Sequence, residues 1–376
     1  MVLKLQKELK LKPPPIWWKE PCANFESTLH QLSPYIGKIK SSIAGDLIEK
    51  YTNPGELVID PFSGAGTIPL EALIRGRRIF AADISPYSKI LSQAKLSPPK
   101  NLKMGLDHVE NVLKEAEYLD QPDLRSIPLW VRQFFHPETL RSAIRFATIG
   151  RKPGNEFPMA CFLGILHHQR PGFLSYPSSH LVPYLRYKKY PPKSFPEMYA
   201  YRELRPRLLA KVYRTFKRFP EIHGEDGIFK QCSVEKLRMP NRFDAVITSP
   251  PYMNALDYMR DNRLRLWFID PRISSFKNMD STRRQQVFID ATKILAEKIK
   301  KGLKAGGYCI FIVGEEVARS NRARNHPSEV ALEILTQQIP TLSLRQIITD
   351  NIPDVRRTRR DCRGVKTEHF LILQRK

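Results

Sequence analysis

The chain has 376 residues and a net charge of +24, because 62 lysines and arginines face only 38 acidic residues. Such an excess of positive charge predicts a polyanionic partner, with nucleic acid first and an anionic membrane surface second. A hydrophobic content of 41% is typical of a folded protein and excludes a fully disordered chain.

The apolar segments and the cysteines exclude further classes. No stretch approaches the roughly 18 consecutive apolar residues of a membrane span, and the first residues lack the apolar run of a signal peptide. The five cysteines are far apart and form no Cys-x-x-Cys pair, which argues against a disulfide framework and a zinc ribbon. We therefore expect a soluble cytoplasmic protein, associated with the nucleoid, that binds neither a membrane nor a metal ion.

The first part of the chain alternates between strands and helices. Residues 1–24 form a basic tail. The patterns that follow predict a helix from about Ser41, a strand over Glu56–Asp60, a helix over Thr67–Arg75, a strand over Arg78–Asp83 and a helix over Pro86–Ala94. This order is typical of the opening of a doubly wound α/β sheet.

The alternation lapses between residues 98 and 227, where amphipathic stretches are separated by proline-rich and aromatic-rich runs. We interpret residues 98–227 as a subdomain inserted into a main domain of residues 25–97 and 228–376. The patterns that follow predict strands over Ile228–Cys232, Phe243–Ile247 and Tyr308–Val313, helices over Leu256–Trp267 and Arg284–Leu303, and a terminal antiparallel hairpin of Leu344–Thr349 and His369–Leu373.

Two successive predicted strands end in an acid, Asp60 and Asp83, with a glycine-containing loop between them. Ligands of open α/β sheets bind beyond the carboxyl ends of the strands, and an acid there can accept hydrogen bonds from both hydroxyls of a ribose. The loop from Asp60 to Thr67 has neither the Gly-x-Gly-x-x-Gly spacing of a dinucleotide site nor a Walker lysine. It therefore favours a nucleoside without a pyrophosphate.

A second motif, Ser249-Pro250-Pro251-Tyr252, follows the strand that ends near Ile247. Consecutive prolines fix the backbone and expose carbonyl groups without competing amide donors. The Ser249 hydroxyl and the Pro250 carbonyl offer acceptors for an exocyclic amine, and Tyr252 offers a flat face for a base. A base in a duplex reaches such a pocket only if it is flipped out of the stack.

Together the two motifs resemble those of the amino-methyltransferases of restriction–modification systems, the DNA N4-cytosine and N6-adenine family. The resemblance covers about residues 25–96 and 228–375. It implies a Rossmann-like class I methyltransferase fold with a mixed seven-stranded sheet, S-adenosylmethionine as cofactor and duplex DNA as substrate, with a cognate restriction endonuclease as a further partner.

The resemblance also implies a role for each matching residue. Leu32–Lys38 is similar to the segment that packs over the methionine part of the cofactor. The implied cofactor-binding residues are Ser33, Tyr35, Lys38, Asp60, Phe62, Gly64, Gly66, Thr67 and Asp83, and the implied catalytic residues are Ser249, Pro250, Pro251 and Tyr252. The third strand ends at Gln231–Ser233 without an acid, so the contact to the cofactor adenine is unassigned.

Ser249 bears on the target base. In this family a serine at that position favours cytosine N4, whereas aspartate or asparagine favours adenine N6. We therefore predict an N4-cytosine enzyme acting on duplex DNA. The alternatives are an N6-adenine enzyme, an RNA amino-methyltransferase, and a non-enzymatic DNA-binding module on a decayed scaffold, against which the intact motifs argue.

Two basic segments are candidates for contact with DNA, because arginine and lysine bind phosphates and arginine also reads guanine edges. One lies in the predicted insert, where tyrosines interleave the cations. The other lies in the loop before the last strand. The predicted DNA-binding residues are Arg202, Arg205, Arg207, Lys211, Arg356, Arg357, Arg359 and Arg360.

Overall fold

The centre of the molecule is a twisted β-sheet. The computed structural model describes residues 13–19, 26–35, 37–166, 173–175, 191–224, 227–251, 262–273, 281–316, 326–351 and 365–376. Within these ranges the strands are β1 (Leu57–Asp60), β2 (Arg78–Asp83), β3 (Gly227–Gln231), β4 (Phe243–Thr248), β5 (Leu303–Glu316), β6 (Leu342–Asn351) and β7 (Val365–Arg375). They form one seven-stranded sheet in the order β3-β2-β1-β4-β5-β7-β6.

The sheet is mixed because β7 runs antiparallel to both of its neighbours, β5 and β6, while the pairs from β3 to β5 are all parallel. This order, with β7 inserted between β5 and β6, is that of the Rossmann-like class I methyltransferase fold. The predicted α/β class, the seven-stranded mixed sheet and the terminal antiparallel hairpin are thus confirmed.

Helices cover both faces of the sheet. They are α1 (Ser41–Tyr51), α2 (Thr67–Ile74), α3 (Pro86–Leu96), α4 (Leu102–Glu117), α5 (Leu129–Arg132), α6 (Pro137–Gly150), α7 (Glu156–Ile165), α8 (Leu204–Thr215), α9 (Arg263–Ile269), α10 (Ser281–Gly302) and α11 (Pro327–Gln338). One face of the sheet packs on α1 and α2, and the other packs on α10 and α11. Successive residues of a strand point to opposite faces. Val58 therefore packs in the core under α1 and α2, and Ile59 packs in the core under α10 and α11.

A third core joins α3 to the helices of residues 98–227. Tyr87 and Ile90 of α3 lie in one buried cluster with Val109 of α4, Phe162 of α7 and Leu208 of α8. The helices of the predicted insert therefore continue the layer that begins with α3. The division of the chain into domains stays a prediction.

The element boundaries follow local chemistry. Asn101 starts α4 by accepting a hydrogen bond from the Met104 amide, as expected of an N-cap. The helix predicted to end at Leu303 ends at Gly302, because Leu303 pairs with Phe243 in the sheet. Of the helix predicted over Leu256–Trp267, the part before residue 262 lies outside the described residues. In the described ranges no helix is both long and apolar enough to span a membrane.

A glycine holds the helical layer against the N-terminal segment. A Cβ atom added to Gly164 of α7 would collide with the carbonyl oxygen of Leu32. We expect Gly164→Ala to lower the free energy of unfolding by about 1–3 kcal/mol, the usual effect of overpacking. Gly150→Ala is the control, because the nearest neighbour of its added Cβ is the sulfur of the flexible Met159 side chain, at 3.1 Å. Equal stability of the two variants in urea titrations would contradict this packing.

Candidate functional site

The two predicted motifs meet at the carboxyl edge of the sheet. Asp83 ends β2, Asp60 ends β1 and Ser249 follows β4, and these three strands are neighbours in the order β2-β1-β4. Adjacent strands lie about 4.8 Å apart, so the strand that ends at Asp83 is about 10 Å from the strand that precedes the Ser-Pro-Pro motif. A nucleoside at β2 and β1 can therefore face a second ligand at β4.

The loop between β1 and α2 depends on two glycines with positive φ, +49° at Gly64 and +70° at Gly66. A Cβ atom at Gly66 would lie 2.8 Å from the hydroxyl and 3.0 Å from the Cα atom of Ser92. One at Gly64 would lie 3.3 Å from the Tyr35 ring. Only glycine combines this left-handed backbone with so little space, so the path of the loop depends on both glycines.

Asp83 holds this loop from the side of β2. Its Oδ2 accepts a hydrogen bond from the Gly64 amide at 2.9 Å, and its Oδ1 accepts one from the Ser85 amide at 2.8 Å. Burial raises the pKa of Asp83, and the bonds from Ser85 and Gly64 oppose that rise. Each carboxylate oxygen has a further lone pair, so acceptors remain for ribose hydroxyls.

Asp60 links the loop to the strand of the second motif. Its side chain is buried, and its Oδ1 accepts hydrogen bonds from the Thr248 hydroxyl at 2.7 Å and from the Phe62 amide at 3.4 Å. Burial raises the pKa of Asp60 to about 7, against the effect of these two bonds. Because Thr248 directly precedes Ser249, the bond ties the predicted cofactor loop, residues Asp60 to Thr67, to the predicted catalytic motif.

Helix α3 holds the loop through hydrogen bonds from side chains that are not among the predicted site residues. Ser88 Oγ donates to the Gly64 carbonyl at 2.5 Å, and Lys95 Nζ donates to the Ala65 carbonyl. Ser92 Oγ lies 3.3 Å from Ser63 Oγ. The positions 88, 92 and 95 lie on one helical face, but polar residues at this spacing are equally typical of a solvent-facing helix surface, so the sequence carried no signal for these contacts.

Lys95 is itself buried, with 2% of its surface exposed. Burial, together with the charge of Lys38, lowers the pKa of Lys95 to about 7, although Glu26 and Glu71 oppose the shift. Next to it lies a buried pair, in which His30 Nε2 is 2.5 Å from Glu71 Oε1. Lys95, beside this pair, therefore titrates near neutral pH.

The N-terminal segment lies beside the loop through contacts with Tyr87. Ser33 Oγ is 2.6 Å from the Tyr87 hydroxyl, which donates to the Pro34 carbonyl at 2.7 Å. The Tyr35 ring stacks on the Tyr87 ring with centroids 5.6 Å apart. Lys38 is exposed, and its Nζ donates to the His30 carbonyl at 3.0 Å. The structure thus brings the predicted segment to the loop.

Thr67, at the start of α2, completes the loop. Its hydroxyl is buried and makes no hydrogen bond within the described part of the chain, and such an orphan normally has a partner in the functional state. The glycine loop, the acid of Asp83 and this hydroxyl fit the sugar and the amino-acid part of S-adenosylmethionine, the cofactor that the sequence motifs predict. Among the described residues, no group of three His, Cys, Asp or Glu side chains is arranged to hold a metal ion.

The second motif is described up to Pro251. Ser249 is half-buried, Pro250 is buried and Pro251 is exposed. Tyr252 lies outside the described residues, so its stacking role stays a prediction. Pro250 and Pro251 have no amide hydrogen, so Ser249 and its neighbours present mainly acceptors at the end of β4.

The predicted DNA-binding residues separate into three groups. Arg205 is exposed and pairs with Glu110 at 3.0 Å, while Arg202 and Arg207 are half-buried and donate to the carbonyls of Glu197 and Glu203. Those in the C-terminal loop lie outside the described residues: Arg356, Arg357, Arg359 and Arg360.

Lys211 requires a correction. It is 8% exposed, and its ammonium donates to the Gln31 carbonyl at 2.6 Å, while burial lowers its pKa to about 8. The side chain points into the protein, because its stem packs in the core of α8 and α7. Lys211 therefore holds the N-terminal segment and is not placed to contact a phosphate.

Comparisons with known proteins identify short matches in sequence. No family model matches the chain. The type II methyltransferase M.MjaII of Methanocaldococcus jannaschii is 31% identical over 68 residues, which are 18% of this chain and 13% of that protein. The type II methyltransferase M.MvaI of Kocuria varians is 31% identical over 85 residues, 20% of this chain and 19% of that protein. The chain thus matches less than a fifth of the length of either relative.

Among solved structures, TrmN from Thermus thermophilus aligns with a TM-score of 0.34 at 10% identity, covering 89% of this chain and 49% of that one. The rRNA methyltransferase aviRa from Streptomyces viridochromogenes aligns with a TM-score of 0.33 at 10% identity, covering 95% and 96%. Scores this low add nothing to the fold assignment, which rests on the sheet order.

The first test of the site concerns Asp83. We expect Asp83→Ala to weaken binding of S-adenosylhomocysteine roughly tenfold to hundredfold, because a charged hydrogen-bond acceptor contributes about 1.5–3 kcal/mol. Asp107→Ala, which removes an exposed acid from α4, is the control. Calorimetry that gives the same dissociation constant for a folded Asp83→Ala variant would refute the assignment of Asp83 to the ribose.

The second test uses the pH dependence of stability. The folded-state pKa of Lys95 is about 7, below the ordinary 10.5, so between these values the unfolded chain binds a proton that the folded chain does not. The contribution of Lys95 to stability is therefore present above pH 10.5 and lost as the pH falls towards 7.

We expect the wild type to lose about 2 kcal/mol relative to Lys95→Met when the pH is lowered from 9.5 to 8, at 1.36 kcal/mol for each unit of pH. Lys89→Met, on the same helix and partly exposed, is expected to follow the wild type. Parallel stability curves of the wild type and Lys95→Met in urea titrations would contradict a depressed pKa.

Proposed function

We propose that the chain transfers a methyl group from S-adenosylmethionine to the exocyclic N4 of cytosine in duplex DNA. One observation carries the proposal: the Ser249-Pro250-Pro251 motif begins one residue after Thr248, which is hydrogen-bonded to Asp60 of the cofactor loop. The acceptors for an amine and the binding loop for a methyl donor are therefore held together. The short sequence matches to two type II methyltransferases support the proposal.

The chemistry needs little more than positioning. The bound cofactor supplies an activated methyl group on a sulfonium. The cytosine N4 lone pair forms the new N–C bond while the S–C bond breaks, its electron pair stays on sulfur, and the methylated nitrogen releases one proton to water. Holding the two reactants in line contributes most of the rate enhancement in such a transfer.

The residues of the second motif orient the amine. The Ser249 hydroxyl and the Pro250 carbonyl accept its hydrogens and so direct the N4 lone pair towards the methyl group. Tyr252 stacks on the flipped base in this proposal. A serine, as a neutral hydroxyl, suits the smaller pyrimidine, whereas a carboxylate would be a stronger acceptor for the adenine amine.

The basic surface supports duplex DNA as the substrate. The chain has a net charge of +24. Arg202, Arg205 and Arg207 lie at or near the surface at the start of α8. We include the arginines of residues 356–360 in the DNA-binding set as a proposal. A cognate restriction endonuclease as a partner and association with the nucleoid belong to the same proposal.

Ser249→Ala tests the role of the motif. We expect turnover on duplex DNA to fall roughly tenfold to hundredfold, equivalent to about 1.4–2.8 kcal/mol, because the amine loses an orienting acceptor. The dissociation constant for the cofactor is expected to change less than about twofold, because in this proposal Ser249 orients the amine and not the sulfonium. Ser343→Ala on β6 is the control. A loss of cofactor affinity that accounts for the lost turnover would contradict the assignment.

The product identifies the substrate. The wild type is incubated with labelled S-adenosylmethionine and either duplex DNA or tRNA, and the digested nucleosides are analysed by mass spectrometry. We expect N4-methylcytosine from the duplex. N6-methyladenine as the sole product would show that the target base is adenine. Methylated nucleosides from tRNA alone would show that the substrate is RNA.

A further inference from the structure

A basic, aromatic groove lies away from the motifs, between the start of α4 and the C-terminal end of α8. Its volume is about 600 Å³. Three cationic residues line it, Lys100, Arg214 and Lys217, and all three are exposed. No acidic residue is among the described residues that line it. The groove therefore concentrates positive charge in a concave surface.

The apolar wall of the groove is preorganised. The rings of Phe216 and Phe219 stack face to face, with centroids 4.4 Å apart and planes 10° apart. Phe216 also packs against α4 at Gly105, where an added Cβ atom would lie 2.7 Å from the ring. Tyr213, which is 56% exposed, borders this wall. A ring this exposed offers a flat surface to a ligand.

The groove continues a basic stripe on α8. Arg214 follows Arg207 by seven residues, about two helical turns, so the two side chains lie on the same stripe. A helix rises about 1.5 Å per residue, which separates them by about 10 Å along the axis. Two cations at this separation can contact different phosphates of one nucleic-acid backbone.

We propose that this groove binds a stretch of the DNA substrate outside the catalytic pocket, with Lys100, Arg214 and Lys217 on phosphates and Tyr213 against a deoxyribose. The inference rests on the proposed function, because it takes DNA as the polyanion. Cations interleaved with aromatic rings are the combination with which proteins hold nucleic-acid strands. An acidic protein partner would leave the exposed ring of Tyr213 and the stacked phenylalanines without a matching role.

The test measures affinity and its salt dependence separately. Binding of a fluorescein-labelled duplex is followed by anisotropy over a series of salt concentrations. The Lys100→Ala/Lys217→Ala variant is expected to bind at least tenfold more weakly, with a log–log salt slope less steep by about 1.8, because each lost phosphate contact contributes about 0.9. Tyr213→Ala is expected to weaken binding at least about fivefold and to leave the slope unchanged.

The matched control is Lys293→Ala/Lys301→Ala, which removes the same charge from exposed positions of α10. Circular dichroism and melting temperature confirm that each variant is folded. An equal loss of affinity in the two double variants would overturn the proposal that the groove binds DNA. Wild-type affinity and slope for Lys100→Ala/Lys217→Ala would overturn it as well.

The methylation assay separates this proposal from the proposed function. If the wild type methylates cytosine in a duplex that the groove variants bind normally, the groove is refuted and the function stands. If the wild type binds and methylates only RNA, the proposed function fails, and DNA as the ligand of the groove fails with it. Loss of duplex binding in the groove variants, with the control intact, supports the proposal.

Discussion

The hydrogen bond between the Thr248 hydroxyl and the buried carboxyl of Asp60 is the contact on which the arrangement of the site depends. It joins the ends of β1 and β4, so the glycine loop after β1 and the Ser-Pro-Pro motif after β4 share one edge of the sheet. A buried carboxyl without this donor would leave an unsatisfied acceptor, which is costly in a low-dielectric interior. The pKa of about 7 shows how strongly burial already acts on Asp60.

The buried lysines show a second constraint. Lys95 and Lys211 are both inside the protein, and each donates to a backbone carbonyl of a segment that borders the cofactor site, Ala65 and Gln31 respectively. Loop backbone carries carbonyl groups that have no partner in a helix or sheet, and buried ones need donors. Part of the large positive charge therefore serves the structure of the site, and the exposed cations are the ones available to a polyanion.

The helical layer of residues 98–227 connects the predicted cofactor loop with the basic surface of α8. Its helices share a core with α3, which supports the cofactor loop. In the same layer, α8 carries the buried lysine that holds the N-terminal segment, the arginines near its start and the groove at its end. The proposed nucleic-acid surface of α8 and the predicted cofactor loop, which α3 supports, thus belong to a single packed unit.

Local sequence patterns determined the sheet class, the two acids at strand ends, the glycine loop and the Ser-Pro-Pro motif. These features are readable because strand periodicity, turn residues and motif spacing are properties of short segments. The strand Arg78–Asp83 has the predicted limits, and the terminal strands form the predicted antiparallel hairpin.

Only the tertiary structure decided which polar side chains face the site and which face inward. Ser88, Thr248 and Lys95 hold the cofactor loop, and Lys211 belongs to the core, although each looks like an ordinary polar residue in the sequence. Their roles depend on contacts between segments far apart in the chain, such as the 188 positions between Asp60 and Thr248. Residue type and spacing report the local conformation, but the partner of a buried polar group is set by the packing of the whole chain.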